Sequence, residues 1–150
     1  MKVFVSIIIA CMLSIILNSC QKPAAKTLSS KNRIIGKWEL VQAQNGMTPT
    51  ISYPNNNGHL LVFSDSTFEQ YEGNQVIKKG NYVILVDTTV IKEVGLEIEK
   101  GKFTNRIVYN NEYAAPKTFV HISESELTFL SGFFPLDSGS KMVYKRIDDK

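Results

Sequence analysis

The sequence predicts an all-β fold, an eight- to nine-stranded antiparallel up-and-down barrel. Three observations predict it. From Ile34 onward, apolar, β-branched and aromatic residues come in short runs separated by Gly, Asn, Asp and Ser, the punctuation of strands and turns. No long helical period interrupts those runs. Most connections are short enough to be hairpins, and a meander of hairpins removes its exposed edges by closing on itself.

The first residues belong to export rather than to the fold. Lys2 precedes an apolar run, Val3 to Leu17, which is shorter than the about 20 residues of a membrane-spanning helix. It has the length of a signal-peptide core. The residues that follow, Leu17-Asn18-Ser19-Cys20, resemble the lipobox of bacterial lipoproteins: an aliphatic residue, a small residue just before the cleavage point, then an obligatory cysteine. Asn18 departs from the smaller residues usual at its position. The resemblance implies lipidation of Cys20 and cleavage ahead of it. Two or three acyl chains anchor firmly where one does not, at about 0.8 kcal/mol per buried CH₂. Segment 1–19 is therefore expected to be a lipoprotein signal peptide, and the membrane a partner through the lipid on Cys20. Residues 20–33 carry Pro, Ala and Ser without apolar periodicity and read as a flexible tether to one domain, 34–150. Gln21 follows the cysteine and no acidic residue lies near it. The expected location is the cell envelope, at the outer membrane facing the periplasm.

Composition narrows the function classes. Seven Phe, six Tyr and one Trp follow Cys20, enough to build a globular core. Net charge is +3, with the charges scattered rather than gathered in a stripe, so nucleic acid is not an expected partner. The two cysteines are Cys11, in the signal segment, and Cys20. The folded part has no thiol, and must hold itself together by burial and strand pairing.

Taken in order, strands are expected near 37–44, 58–64, 66–72, 76–86, 89–98, 103–110, 117–123, 126–131 and 141–147. Asp65-Ser66 between two apolar runs is a two-residue hairpin signal. Gly73-Asn74, Lys100-Gly101-Lys102 and Ser123-Glu124-Ser125 are further tight connections. Two longer connections, 45–57 with two prolines and four asparagines, and 131–140 with Phe133, Phe134, Pro135 and Leu136, belong at barrel ends.

Several of these residues resemble a family. Gly36-Lys37-Trp38 resembles the Gly-x-Trp opening of lipocalins and lipocalin-like domains. Leu61-Val62-Phe63 followed by Ser66-Thr67-Phe68 is similar to their second and third strands, and Gly80-Asn81-Tyr82 to a Gly-x-Tyr segment of the bacterial lipocalin-like group. Tyr144-Lys145-Arg146 closes the last strand with a basic residue, where lipocalins often set an Arg across the Trp. The resemblance spans roughly 34–147. The Thr-Asp-Tyr motif of classical lipocalins is absent and no C-terminal helix follows, so the likeness is to lipocalin-like domains. It implies a lipid-anchored envelope lipoprotein whose barrel mouth holds a small hydrophobic ligand.

Alternation of side chains along strands tests that placement. With Trp38 inward, Leu40 and Gln42 follow it; on the last strand Met142, Tyr144 and Arg146 share a face. First and last strands are neighbours in a closed barrel, so Trp38 and Arg146 are expected to stack beside Gly36 as a plug, a contact of about 0.5–2 kcal/mol. Leu61, Phe63, Phe68, Tyr82, Ile84, Ile107, Tyr109, Phe119, His121, Leu127 and Phe129 complete the expected interior. So many rings favour a packed core with at most a shallow pocket at the mouth. Gln42, Tyr82, Tyr109, His121 and Tyr144 would bring polar tips inside, where they need partners or a ligand. The apolar Phe133-Phe134-Pro135-Leu136 tip is expected first of all to fold back over the core, and otherwise to cap the mouth or meet a partner or membrane, which makes Phe133 and Phe134 candidate ligand contacts. An open interior pocket of about 300 Å³ or more would favour a binder.

Catalytic motifs are missing. His59 and His121 have no partner at metal-ligand spacing, and no metal or other cofactor is implied. There is no Gly-x-Ser-x-Gly elbow and no phosphate loop. Glu97 with Glu99, and Glu124 with Glu126, read as solvated faces. The expectation is a protein that is not an enzyme: a carrier or sensor with a small ligand, or else a filled barrel whose 45–57 and 131–140 loops dock an envelope protein or polymer.

Overall fold

The structure is a computed structural model that describes residues 33–147. The signal segment 1–19, Cys20 and residues 21–32 of the spacer lie outside the described residues.

Nine strands form one antiparallel sheet. Strand β1 (Gly36–Asn45) leads through the two-residue β2 (Ile51–Ser52) to β3 (His59–Phe63), β4 (Thr67–Glu72) and the long β5 (Gln75–Val86). Then come β6 (Asn105–Tyr109), β7 (Thr118–Ile122), β8 (Glu126–Ser131) and β9 (Ser140–Ile147). Apart from β2, each strand pairs with the next in sequence, and β9 returns to pair with β1. The result is a closed eight-stranded up-and-down barrel in which β2 is an extra strand. It pairs with the part of β1 that β3 leaves free, Ala43 opposite Ile51. The seam runs from Lys37 opposite Ile147 to Asn45 opposite Ser140. The two-residue hairpin at Asp65-Ser66 and the turn at Gly73-Asn74 fall between paired strands.

One expected strand is not there. Residues 89–98 hold a short helix, α1 (Val90–Val94), and irregular chain. The β-branched run Thr88-Thr89-Val90-Ile91 has the composition of a strand, but Val90 and Val94, four apart, share one helical face and are buried. Asp87 starts the turn by accepting from the Thr89 N–H and hydroxyl, at 3.0 and 2.7 Å. Gly95, at φ +67°, ends the helix in the left-handed conformation that its missing side chain permits.

The core has two compartments. Inside the barrel, Trp38, Leu40, Leu61, Phe63, Phe68, Tyr82, Ile107, Val120, Ile122, Leu127, Phe129 and Tyr144 pack together. Outside it, α1 and the segment after it lie against β7 and β8, where Val90, Val94, Phe103, Phe119, Leu130 and Phe134 make a second apolar layer. This layer corrects the expected interior. Phe119 and His121 face out of the barrel, and Val120 and Ile122 face in. Both faces of β7 are covered, so alternation alone could not fix its phase. Gln42 is also outside. A bulge at Val41 shifts the β1–β9 register between Leu40 and Gln42 and reverses the faces beyond it.

An ionic cluster fixes the outer layer. Lys117 Nζ lies 3.1 Å from Asp87 and 3.2 Å from Glu93, and Arg106 Nε lies 3.5 Å from the same Asp87 carboxylate. Burial works to raise the Asp87 carboxyl, but hydrogen bonds from Thr89 and Lys117 outweigh it and hold the group below the usual carboxylate range.

Candidate functional site

The two ends of the barrel differ in kind. At the closed end Trp38 is fully buried, and its Nε1 donates to the Ile34 carbonyl at 2.8 Å. The Arg146 guanidinium lies 4.2 Å from the indole centroid. Its Nε donates to Glu124 O at 2.8 Å, its Nη1 to Ile35 O at 2.9 Å, and its Nη2 to Arg33 O. Gly36 leaves room for that fork: a Cβ there would stand 2.5 Å from Nη1, and its φ of +137° suits glycine. Tyr82 belongs to this half as well. Its ring packs edge-on against Phe63, its hydroxyl donates to Ser64 O at 2.8 Å, and burial, with the Asp65 charge nearby, pushes it up to about 12. Gly36, Trp38, Arg146 and Tyr82 thus close the barrel and leave no room there for a ligand.

At the open end the interior is not filled. A pocket of about 200 Å³ enters between the strand ends. Leu61, Phe68, Phe129 and Met142 form its apolar wall. Tyr109 and Tyr144 stand across it, and Gln70, Thr118, Ser131, Ser140 and Lys78 line the rest. Phe68 and Tyr109 rings pack at 4.6 Å, and Phe129 and Tyr144 meet edge-on at 5.8 Å. Burial pushes the Tyr144 hydroxyl up to about 12, with neighbouring Tyr53 adding to the rise; burial raises Tyr109 further, with Tyr144 contributing. All these phenols are neutral hydrogen-bond donors at physiological pH. Lys78 Nζ sits 5.3 Å from the Tyr109 ring centroid, and no carboxylate lines the pocket.

Of the seven residues expected to meet a ligand, the pocket gathers two, Tyr109 and Tyr144. Gln42 lines a separate groove of about 320 Å³ outside the barrel, between segment 96–103 and strands β8 and β9. His121 is likewise outside. Its Nδ1 lies 2.7 Å from Lys102 O and its ring packs near Phe103, which ties the 100–103 turn to β7. Phe134 is buried in the outer layer and Phe133 lies over Gly95, partly exposed, so the loop folds back rather than capping the mouth.

Five lining residues escape a reading based on rings: Gln70, Lys78, Thr118, Ser131 and Ser140. A signal for them is present. Each continues an inward series by one or two steps toward the mouth, as Gln70 follows Phe68, Ser131 follows Phe129 and Ser140 precedes Met142. Polar residues at the last inward positions mark where the core gives way to solvent.

The mouth keeps its shape through the 45–57 connection. Asn57 Nδ2 donates to Leu40 O at 2.8 Å and to Pro54 O at 2.7 Å; its Oδ1 accepts from His59 N, and its own N–H donates to the buried Glu39 carboxylate at 2.9 Å. The same connection meets the 131–140 loop where Gly46 N donates to Gly139 O at 2.7 Å. No group of three or more potential metal ligands occurs among the described residues.

In comparisons with family models, curated proteins and solved structures, the chain matches none.

Proposed function

We propose that this is a lipid-anchored envelope protein with a lipocalin-like domain that binds a small hydrophobic ligand in the barrel mouth, without catalysis. The observation that carries the binding reading is the asymmetry of the interior. One end is sealed by the Trp38–Arg146 stack, and the other opens into a pocket with an apolar floor and hydroxyl donors. At about 200 Å³ the pocket misses the about 300 Å³ at which interior volume by itself favours a binder, so the reading rests on the pocket's lining and not on its size. The ligand is accordingly small, and long-chain lipids, bile acids and haem are too large to enter whole. The lipid anchor and the location at the outer membrane rest on the lipobox-like Leu17-Asn18-Ser19-Cys20.

Thermal melting of the purified protein against a panel of short-chain and single-ring amphiphiles tests the binding reading. A saturable rise in Tm is expected for some of them, lost when Ser131→Trp fills the mouth. A flat response across the panel overturns it in favour of the second reading, a solid barrel that docks an envelope protein or polymer through its loops. That alternative draws support from the exposed Met47, Ile51 and Leu136 on the loops around the mouth. The anchor is tested separately: Cys20→Ala should release the protein from membranes and abolish labelling by radioactive palmitate.

A further inference from the structure

We propose that the mouth pocket selects a small amphiphile carrying one carboxylate, with Lys78 as its charge partner. The inference rests on the reading of the mouth as a ligand site and adds the class of ligand. Four observations carry it. The pocket lining contains one cation and no anion. Lys78 forms no ion pair with a described residue; its ammonium lies by the Tyr109 ring, between this pocket and an adjoining cleft lined by Arg106, Glu112 and Lys117. The neutral polar groups around it, the hydroxyls of Tyr109, Tyr144, Thr118, Ser131 and Ser140, are donors of the kind a carboxylate accepts from. The wall formed by Leu61, Phe68, Phe129 and Met142 suits a short acyl or aryl body and offers no second charge a counter-ion. A lone ammonium at the edge of an apolar pocket favours an anion over an isosteric neutral group or a cation. A multiply charged phosphate would find one cation and too little polar surface.

Lys78 faces inward opposite Gln70 but is solvent-exposed at the rim, so its replacement leaves the fold intact. The test titrates the full chain with octanoate, 1-octanol and octylamine at neutral pH, read by tyrosine fluorescence and calorimetry. Octanoate is expected to bind about three- to fivefold more tightly than octanol, the scale of one partly exposed charge pair, and octylamine more weakly than either. Lys78→Gln should bring octanoate down to the octanol value of the same variant, and Lys78→Glu should reverse the order of octanoate and octylamine. Added salt should narrow the octanoate–octanol gap. Equal binding of octanoate and octanol by the parent, or an octanoate preference that survives Lys78→Gln, overturns carboxylate selection and leaves the ligand site standing. Binding of none of the three overturns the ligand site itself. A phospholipid bearing an octanoyl chain, whose ester has no carboxylate, should bind no better than octanol; binding as tight as that of octanoate would overturn carboxylate selection.

Discussion

Gly36 and Arg146 fit one another: the absent side chain of the first is the space taken by the Nη1 of the second, which would lie 2.5 Å from a Cβ at position 36. Around that contact the strands β1 and β9 are sealed, with the guanidinium on Trp38 and three backbone carbonyls. Gly36→Ala is expected to cost about 1–3 kcal/mol, because the backbone conformation penalises any side chain and the clash adds to it. In an Arg146→Ala background the clash disappears, so the double variant should be less destabilised than the sum of the singles. Urea denaturation of the four proteins reads the coupling, and strict additivity would show that the two residues do not interact.

Arg146→Ala itself should lose about 2–4 kcal/mol, combining the indole contact with charge-assisted hydrogen bonds. Arg146→Lys keeps the cation but not the planar fork, and is expected to recover less than half of the loss. Recovery of full stability by lysine would mean that charge alone matters at the seam.

The seam is legible in the sequence, because the Gly-x-Trp and Tyr-x-Arg resemblance pairs Trp38 with Arg146 and alternation puts both at an inward phase of the first and last strands. What was not legible has specific physical causes. The outward phase of Phe119 and His121 is not legible because alternation specifies a face only when the other face is wet, and β7 is covered on both sides. Gln42 was lost to a one-residue bulge at Val41, which leaves no compositional mark. The helix Val90–Val94 hides in β-branched residues, and only Gly95 at its end signals it. The mouth pocket is half legible: Tyr109 and Tyr144 announce themselves as ring-bearing inward positions, while Lys78, Ser131 and Ser140 carry no mark of burial.

The two loop phenylalanines should behave oppositely. Phe134, buried at 1% exposure between α1 and the outer barrel wall, is expected to cost about 3–5 kcal/mol on truncation to Ala. Phe133→Ser, at 37% exposure, should cost about 1 kcal/mol or less. Denaturation midpoints of the two variants decide it. Equal losses would mean that the loop is not seated as described.

Asn57→Ala should destabilise by about 1–3 kcal/mol, since Leu40 O loses a partner and the chain from Pro54 to His59 loses its tie. Amide exchange is expected to quicken at Tyr53 and His59 before any change at Trp38. Uniform acceleration across the barrel would mean that the connection has no stability of its own to lose.

Alkaline pH should unfold the protein through its tyrosines. Tyr82 and Tyr144 ionise near 12 in the folded state and near 10 in the unfolded chain. The folded form therefore retains protons that the unfolded form releases, and stability, fully present below about pH 10, declines from there through pH 12. Tm measured between pH 8 and 12 should fall steeply above 10, and less steeply in Tyr144→Phe. At the other extreme the depressed Asp87 carboxylate acts with opposite sign: its contribution is present above the unfolded value of about 4 and is lost as pH falls through its folded value. A Tm that is flat above pH 10 would show that these phenols are not enclosed.

Because β9 bonds to β8 on one side and β1 on the other, it is the keystone of the sheet. During synthesis every earlier strand can find its sequence neighbour as it emerges, yet until β9 appears the ribbon has two sticky borders and the indole of Trp38 lacks its lid. A chain whose β9 has not yet formed is thereby left open along both borders, and that one strand closes them together.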